Sequence, residues 1–369
     1  MYDYYQDELQ ILAKSNRIRK RETFSKNLLD LASNDYLGIA SNKKLSQKAI
    51  NKFSKQTIFS PKASVLVNGY SKIHQEFEKR LAKVNGFEKG ITVGSGFLAN
   101  ISLIESMVRK KDILFIDEEY HASGILAAKL PQGEVIVFKH NDIGDLREKI
   151  NTYAINKKRV LIAIEGVYSM GGDIAPKEIY DIAKEYNALL IVDEAHSSGV
   201  IGENLLGWFD HFNLKIEKNH IKMGTLGKAY GSYGAYILAS SHIIKFLENR
   251  AKPIIYSTAL SLFDTIYGDE NFKYIQKNKL SLKKKITKKQ QLVKEYLDIN
   301  PQSLIVPIVI NDNKKVLQIQ KYLLKKGFLI GAIRQPTVKK AILRVIIKLD
   351  IPNKSLIKLL QLIKEQRNG

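Results

Sequence analysis

Short, nearly continuous apolar runs alternate with segments whose apolar positions recur every three or four residues over the middle of the chain. Ile113–Asp117, Val135–Phe138, Val160–Glu165, Leu189–Asp193 and Tyr236–Ala239 have the length and β-branched content of strands. Residues 91–108 read as a strand, a tight Gly-Ser-Gly turn and a helix. The spacing predicts further helices over 142–151, with Asn141 as the cap, and over 176–186, with Pro176 in the first turn. Strands apolar on both faces, separated by helices, predict a mostly parallel sheet covered by helices on each side.

The flanks follow other patterns. Residues 1 to about 30 predict a polar helix and a basic segment around Arg17, Arg19 and Arg21, followed by a short strand that runs into a polar turn at Asn34 and Asp35. Residues 60–78 predict a loop leading into an amphipathic helix. Beyond residue 246 come long Lys/Leu helices up to Asn300, a strand over 304–310, a helix over 314–326, a strand over 341–347 and a final helix. This order predicts an N-terminal arm (1–38), a large α/β domain (39–262) and a smaller α+β domain (263–369).

In a sheet of this kind ligands bind beyond the carboxyl ends of the strands. The residues placed there are Gly96 and Phe97, His121, Ser169, Asp193, His196 and Lys228. Lys228 lies in the glycine-rich stretch Met223-Gly-Thr-Leu-Gly-Lys-Ala-Tyr-Gly231, which predicts a turn. A lysine amine adds to carbonyls, and pyridoxal 5′-phosphate is the aldehyde most often held in this way. That cofactor needs an amine (Lys228), a buried carboxylate for its ring nitrogen (Asp193) and a flat group to stack on the ring (His121). It also needs a helix start for its phosphate (Gly96, Phe97). Ser169 and His196 are candidates for its phenolic oxygen. Gly94-Ser-Gly96 lacks the third glycine and the acidic residue of a dinucleotide fingerprint, which argues against a nucleotide-dependent oxidoreductase.

The chain has 369 residues and no cysteine, which excludes disulfides, thiolate metal sites and a cysteine nucleophile. No metal site is expected. No apolar run reaches the ~20 residues of a membrane span. No secretory signal is recognisable at the N-terminus, so a cytoplasmic protein is expected. The formal charge of +22 is spread along the chain, and the densest lysine run, 283–289, has no interleaved aromatics. This favours a solvated surface over a nucleic-acid platform.

Leu31-Ala-Ser-Asn-Asp-Tyr-Leu-Gly38, Ser95-Gly-Phe-Leu-Ala-Asn100, His121-Ala-Ser123, Glu165-Gly-Val-Tyr-Ser-Met170, Val192-Asp-Glu-Ala-His196, Thr225-Leu-Gly-Lys228 and Ile255-Tyr-Ser-Thr258 resemble the α-oxoamine synthases, a branch of the fold-type-I pyridoxal-phosphate enzymes. The resemblance spans nearly the whole chain. It implies a seven-stranded, mostly parallel sheet with a smaller C-terminal domain. It implies Lys228 as the cofactor's Schiff-base lysine, Asp193 at the ring nitrogen and His121 on the ring face. Gly96, Phe97, Ser169, His196 and Thr225 would be further contacts. Ser257 and Thr258 would reach the phosphate in the neighbouring subunit, which implies a homodimer with shared sites. Arg334 would clamp the amino-acid carboxylate, with Thr337 and Arg17 or Arg19 near the substrate.

Asn68-Gly-Tyr-Ser-Lys-Ile-His74, His140-Asn-Asp142 and Ala332-Ile-Arg-Gln-Pro-Thr-Val338 resemble the biotin branch of the family. That branch condenses L-alanine with a pimeloyl thioester, on CoA or a carrier protein. The alternative is a member that joins glycine to acetyl-CoA. Three stretches depart from the family pattern: Ser60-Pro-Lys-Ala-Ser64, the first glycine of Ser169-Met-Gly-Gly-Asp173, and the residues after Thr337.

Overall fold

The computed structural model describes residues 2–15 and 18–368. Helix α1 (Tyr2–Lys14) is exposed along its described side chains. A two-residue strand, β1 (Leu29–Asp30), follows. Helix α2 (Lys43–Phe53) is capped by Asn42, whose side chain accepts from the backbone of Lys44 and Leu45. Helix α3 (Lys72–Asn85) stops at Gly86, which takes the left-handed conformation (φ 79°).

The central sheet contains β2 (Lys89–Val93), β3 (Ile113–Asp117), β4 (Glu134–Phe138), β5 (Val160–Glu165), β6 (Leu189–Asp193), β7 (His220–Thr225) and β8 (Ala235–Ala239). Their spatial order is β2-β8-β7-β6-β5-β3-β4. The pairings from β7 across to β4 are parallel, and β8 runs antiparallel to both β2 and β7. Residues 226–234, between β7 and β8, are too few for a crossover, so β8 has to turn back. The strands are apolar on both faces because each face has its own core. Ile113 and Phe115 of β3 enter one core, and Leu114 and Ile116 the other.

Helices α4 (Gly96–Met107), α5 (Ala122–Ala127), α6 (Ile143–Tyr153), α7 (Glu178–Glu185), α8 (Trp208–His211), α9 (Ser241–Arg250) and α10 (Lys252–Ile255) lie between or just after these strands. The cap of α6 differs from expectation. Asp142 accepts from the Asp145 N–H, whereas Asn141 takes φ 53° one residue earlier. Helix α7 starts at Glu178, two residues past Pro176.

The C-terminal part begins with one helix of 36 residues, α11 (Leu262–Leu297), which packs on α2, α3 and α13. It continues through β9 (Ile305–Val309), α12 (Asn313–Lys325), β10 (Phe328–Leu329), β11 (Gly331–Ile333), β12 (Ile342–Ile346) and α13 (Asn353–Asn368). Strands β11, β12 and β9 form an antiparallel sheet. The N-terminal segment is stitched to this part. Strand β1 pairs in parallel with β10, Ile346 N–H donates to Leu31 O, and Leu349 N–H donates to Tyr36 O.

Candidate active site

The parallel strands deliver their carboxyl ends to one place. Beyond β7, Leu226 N–H bonds Gly234 O and Gly231 N–H bonds Lys228 O, which closes the turn that carries Lys228. Lys228 Nζ lies 2.6 Å from His196 Nε2, and His196 Nδ1 lies 2.5 Å from Tyr36 Oη. Burial lowers the Lys228 amine to about 8; the attraction of Asp193 and Glu165 opposes this, and the Arg344 charge adds to it. Burial, and then the Lys228 charge, hold His196 well below the usual imidazole range.

Asp193 ends β6 and is buried. Its Oδ1 accepts from Ala195 N–H and its Oδ2 from Asn100 Nδ2, both at 2.9 Å. Among the described residues it makes no ion pair. Asn100, on α4, also donates to Ser123 Oγ at 2.9 Å and accepts from Tyr120 Oη at 2.9 Å. Ser123 Oγ lies 2.7 Å from His121 Nδ1, which in turn accepts from Ser123 N–H. One line of hydrogen bonds thus runs from the Asp193 carboxylate to the His121 ring, which is itself exposed.

Helix α4 starts at Gly96, with Ser95 Oγ accepting from Leu98 N–H. A Cβ placed on Gly96 would lie 3.9 Å from Thr225 Cβ, so this helix start adjoins the end of β7. Thr225 Oγ1 donates to Gly234 O and accepts from Gly227 N–H. Phe97 is 45% exposed. Ser169 N–H donates to Glu165 Oε2 at 3.1 Å, and Ser169 O accepts from Arg344 Nε at 2.8 Å. Glu165 lies opposite Asp193 in the β5–β6 register, and its Oε1 has no partner among the described residues. Burial, with Asp193 next, pushes the Glu165 carboxyl far up.

Ser257 and Thr258 follow α10, and no hydrogen bond or ion pair among the described residues joins them or Arg19 to the Lys228 group. Arg17 lies outside the described residues. Arg334 follows β11, and Thr337 N–H bonds Arg334 O at 3.0 Å. Arg344 on β12 is buried, and its hydrogen bonds enter the group: beside the Nε bond to Ser169 O, its Nη2 lies 3.0 Å from Asn34 Oδ1. Sequence reasoning passed over Arg344, although a charged residue within the run Ile342-Leu-Arg-Val-Ile346 is itself a signal. It also passed over the roles of Tyr36, Asn100 and Glu165, each of which lies inside a quoted motif.

Residues 26–360 match the family model for aminotransferase class I and II, which fixes the class of protein. An 8-amino-7-oxononanoate synthase from Helicobacter pylori (strain ATCC 700392 / 26695) is 47% identical over 346 residues, covering 94% of this chain and 92% of that protein. The crystal structure of the 8-amino-7-oxononanoate synthase from Francisella tularensis is 27% identical, with a TM-score of 0.77 over 93% of this chain and 99% of that one. The chain belongs to the 8-amino-7-oxononanoate synthase family. A high-resolution structure of SPT with its PLP internal aldimine is 22% identical with a TM-score of 0.88, covers 100% of this chain and 97% of that one, and shows the same fold. The expected fold class, a fold-type-I α/β transferase with a mostly parallel seven-stranded sheet, and the expected enzyme family are both borne out.

Proposed function

We propose that this chain condenses L-alanine with a pimeloyl thioester, on CoA or a carrier protein, to give 8-amino-7-oxononanoate, carbon dioxide and the free thiol. The observation that carries the reading is Lys228. It is an amine of lowered basicity held against a neutral imidazole, in a chain 47% identical to a synthase of that name. The residues present fit pyridoxal 5′-phosphate. Asp193 is a buried carboxylate with no ion pair among the described residues, as a pyridinium nitrogen requires. When bound, the cofactor supplies an aldehyde for the amine and an electron sink for the carbanion.

The chain's own groups divide the rest of the work. With its basicity lowered to about 8, the Lys228 amine is partly neutral near pH 7 and can attack a carbonyl or take the substrate Cα proton. Asp193 offers negative charge to a ring nitrogen, and the line through Asn100 and Ser123 fixes the His121 ring that would lie on the ring face. Gly96, Phe97 and Thr225 would hold the phosphate at the start of α4. Ser169 would hold the phenolic oxygen, and His196 would contact the cofactor beside it. Arg344 would clamp the alanine carboxylate, with Arg334, Thr337 and Arg17 or Arg19 near the substrate. Ser257 and Thr258 would serve the neighbouring subunit of a homodimer. A cysteine-free chain gains nothing from an oxidising compartment, and we place the enzyme in the cytoplasm.

The test pairs amino acids with acyl donors. L-Alanine with pimeloyl-CoA or a pimeloyl carrier protein should release carbon dioxide and free thiol in equal amounts. Turnover of glycine with acetyl-CoA and none of alanine would replace this substrate assignment. Lys228→Ala should lose both turnover and the borohydride-reducible absorbance of the loaded protein.

A further inference from the structure

With Lys228 protonated, its major state near pH 7, the hydrogen bonds behind it admit one consistent set of protons. A protonated amine only donates, so His196 Nε2, 2.6 Å from Lys228 Nζ, must accept. His196 is neutral and carries one ring proton, which then sits on Nδ1 and is donated to Tyr36 Oη at 2.5 Å. Burial keeps the Tyr36 phenol protonated. Its own proton goes to Asn34 Oδ1 at 3.3 Å. That atom is the amide oxygen rather than the nitrogen, because the Arg344 guanidinium, which only donates, bonds it at 3.0 Å.

We infer that Tyr36, backed by Asn34, is a positioning residue that holds His196 as the Nδ1–H tautomer and so leaves Nε2 to orient the Lys228 amine. The consequence is chemical. With one amine N–H committed to His196 Nε2, the nitrogen lone pair points away from the imidazole, toward an incoming carbonyl or Cα–H. The opposite tautomer would place Nε2–H against the amine. It would repel the protonated form and occupy the lone pair of the neutral one. The second ring nitrogen of a histidine commonly sets the tautomer at the first. The buried Tyr36 supplies that second contact here.

The kinetic arm of the test rests on the proposed function, and the spectroscopic arm does not. Full-length protein labelled with 15N-histidine contains seven histidines, and His196→Gln assigns the resonances of interest. In the cofactor-free wild type His196 should show a protonated Nδ1 and an unprotonated Nε2. Tyr36→Phe should move the ring toward the Nε2–H form. In the loaded enzyme it should lower kcat about tenfold, the worth of one hydrogen bond, with KM for L-alanine within about twofold. Asn34→Ala should shift the same resonances in the same direction, and the wild-type spectrum does not depend on either variant folding. An Nε2–H tautomer in the wild type, or an unchanged one in both variants, overturns the inference even if condensation is confirmed. The Nδ1–H tautomer in a protein that does not condense alanine leaves the inference standing and removes the proposed function instead.

Discussion

Arg344 Nε donates to the main-chain oxygen of Ser169 at 2.8 Å, tying the middle strand of the C-terminal sheet to the turn beyond β5. The guanidinium thus stands between the part of the chain that ends in α13 and the sheet edge that carries Asp193 and Lys228. Its charge reaches both Lys228 and His196. A planar donor fork in this position suits a carboxylate. Arg344→Lys should lower kcat/KM for L-alanine about 100-fold while the loaded protein keeps its visible absorbance. Arg334→Lys should cost less than a tenth of that. Steady-state kinetics on the two variants decide which arginine is the clamp.

The amine basicity of Lys228 sets a second expectation. Its pKa is lowered to about 8, so the neutral, attacking form is the minor one at pH 7 and the major one at pH 9. The rate at which cofactor-free protein captures pyridoxal phosphate should climb with pH and level off above about 8. Stopped-flow absorbance measures this. A rate still climbing steeply beyond pH 10 would mean an unperturbed lysine.

His140 bridges two acidic residues outside the Lys228 cluster. Its Nδ1 lies 3.0 Å from Asp117 Oδ1 and its Nε2 2.8 Å from Asp173 Oδ2. Burial disfavours the charged ring, yet the hydrogen bonds and charges of Asp117 and Asp173 outweigh it and push His140 up to about 10. Its pKa is about 6.5 in the unfolded chain. The stability it contributes is therefore complete below about pH 6.5 and is lost as pH rises toward 10. His140→Gln should lower the melting temperature clearly at pH 6 and much less at pH 9.5. Equal losses at both pH values would show that the ring charge does not matter.

Gly69 has no room for a side chain. A Cβ there would stand 1.9 Å from Ala63 O, the same oxygen that accepts Ala259 N–H at 2.9 Å. Gly69→Ala must shift the backbone of residues 63–69 and, through Ala63, the segment that carries Ser257 and Thr258. The expected cost is about 2 kcal/mol, together with weaker cofactor retention. Thermal melts with and without pyridoxal phosphate separate the two effects.

The sequence made the sheet legible because its inner strands are apolar on both faces, as in β3, β5 and β6. Lys228, His196, Asp193 and His121 could be singled out from their placement at or just beyond strand ends. Arg344 was not, because its strand reads as core and nothing local shows that it faces Ser169 across the fold. Asn34 read as turn chemistry and Tyr36 drew no separate reading, since their partners lie far along the chain. The cap of α6 was misplaced by one residue because Asn141 and Asp142 are both good caps, and only the backbone decides between them. Ser257 and Thr258 were singled out by the resemblance alone, and no hydrogen bond or ion pair among the described residues joins them to the Lys228 group.

The pairing of β1 with β10 has a consequence for how the protein is made. Leu29 and Phe328 meet across nearly the full length of the chain, and Asn34 meets Arg344 beside them. The central sheet, residues 89–239, can assemble from what has already left the ribosome. The side of the site that carries Arg344 has to wait for the last strands to emerge. Closing so long a loop is slow relative to local structure. A growing chain would thus carry its lysine, its acid and its imidazole before it could grip an amino acid, and competence for substrate arrives only near the end of synthesis.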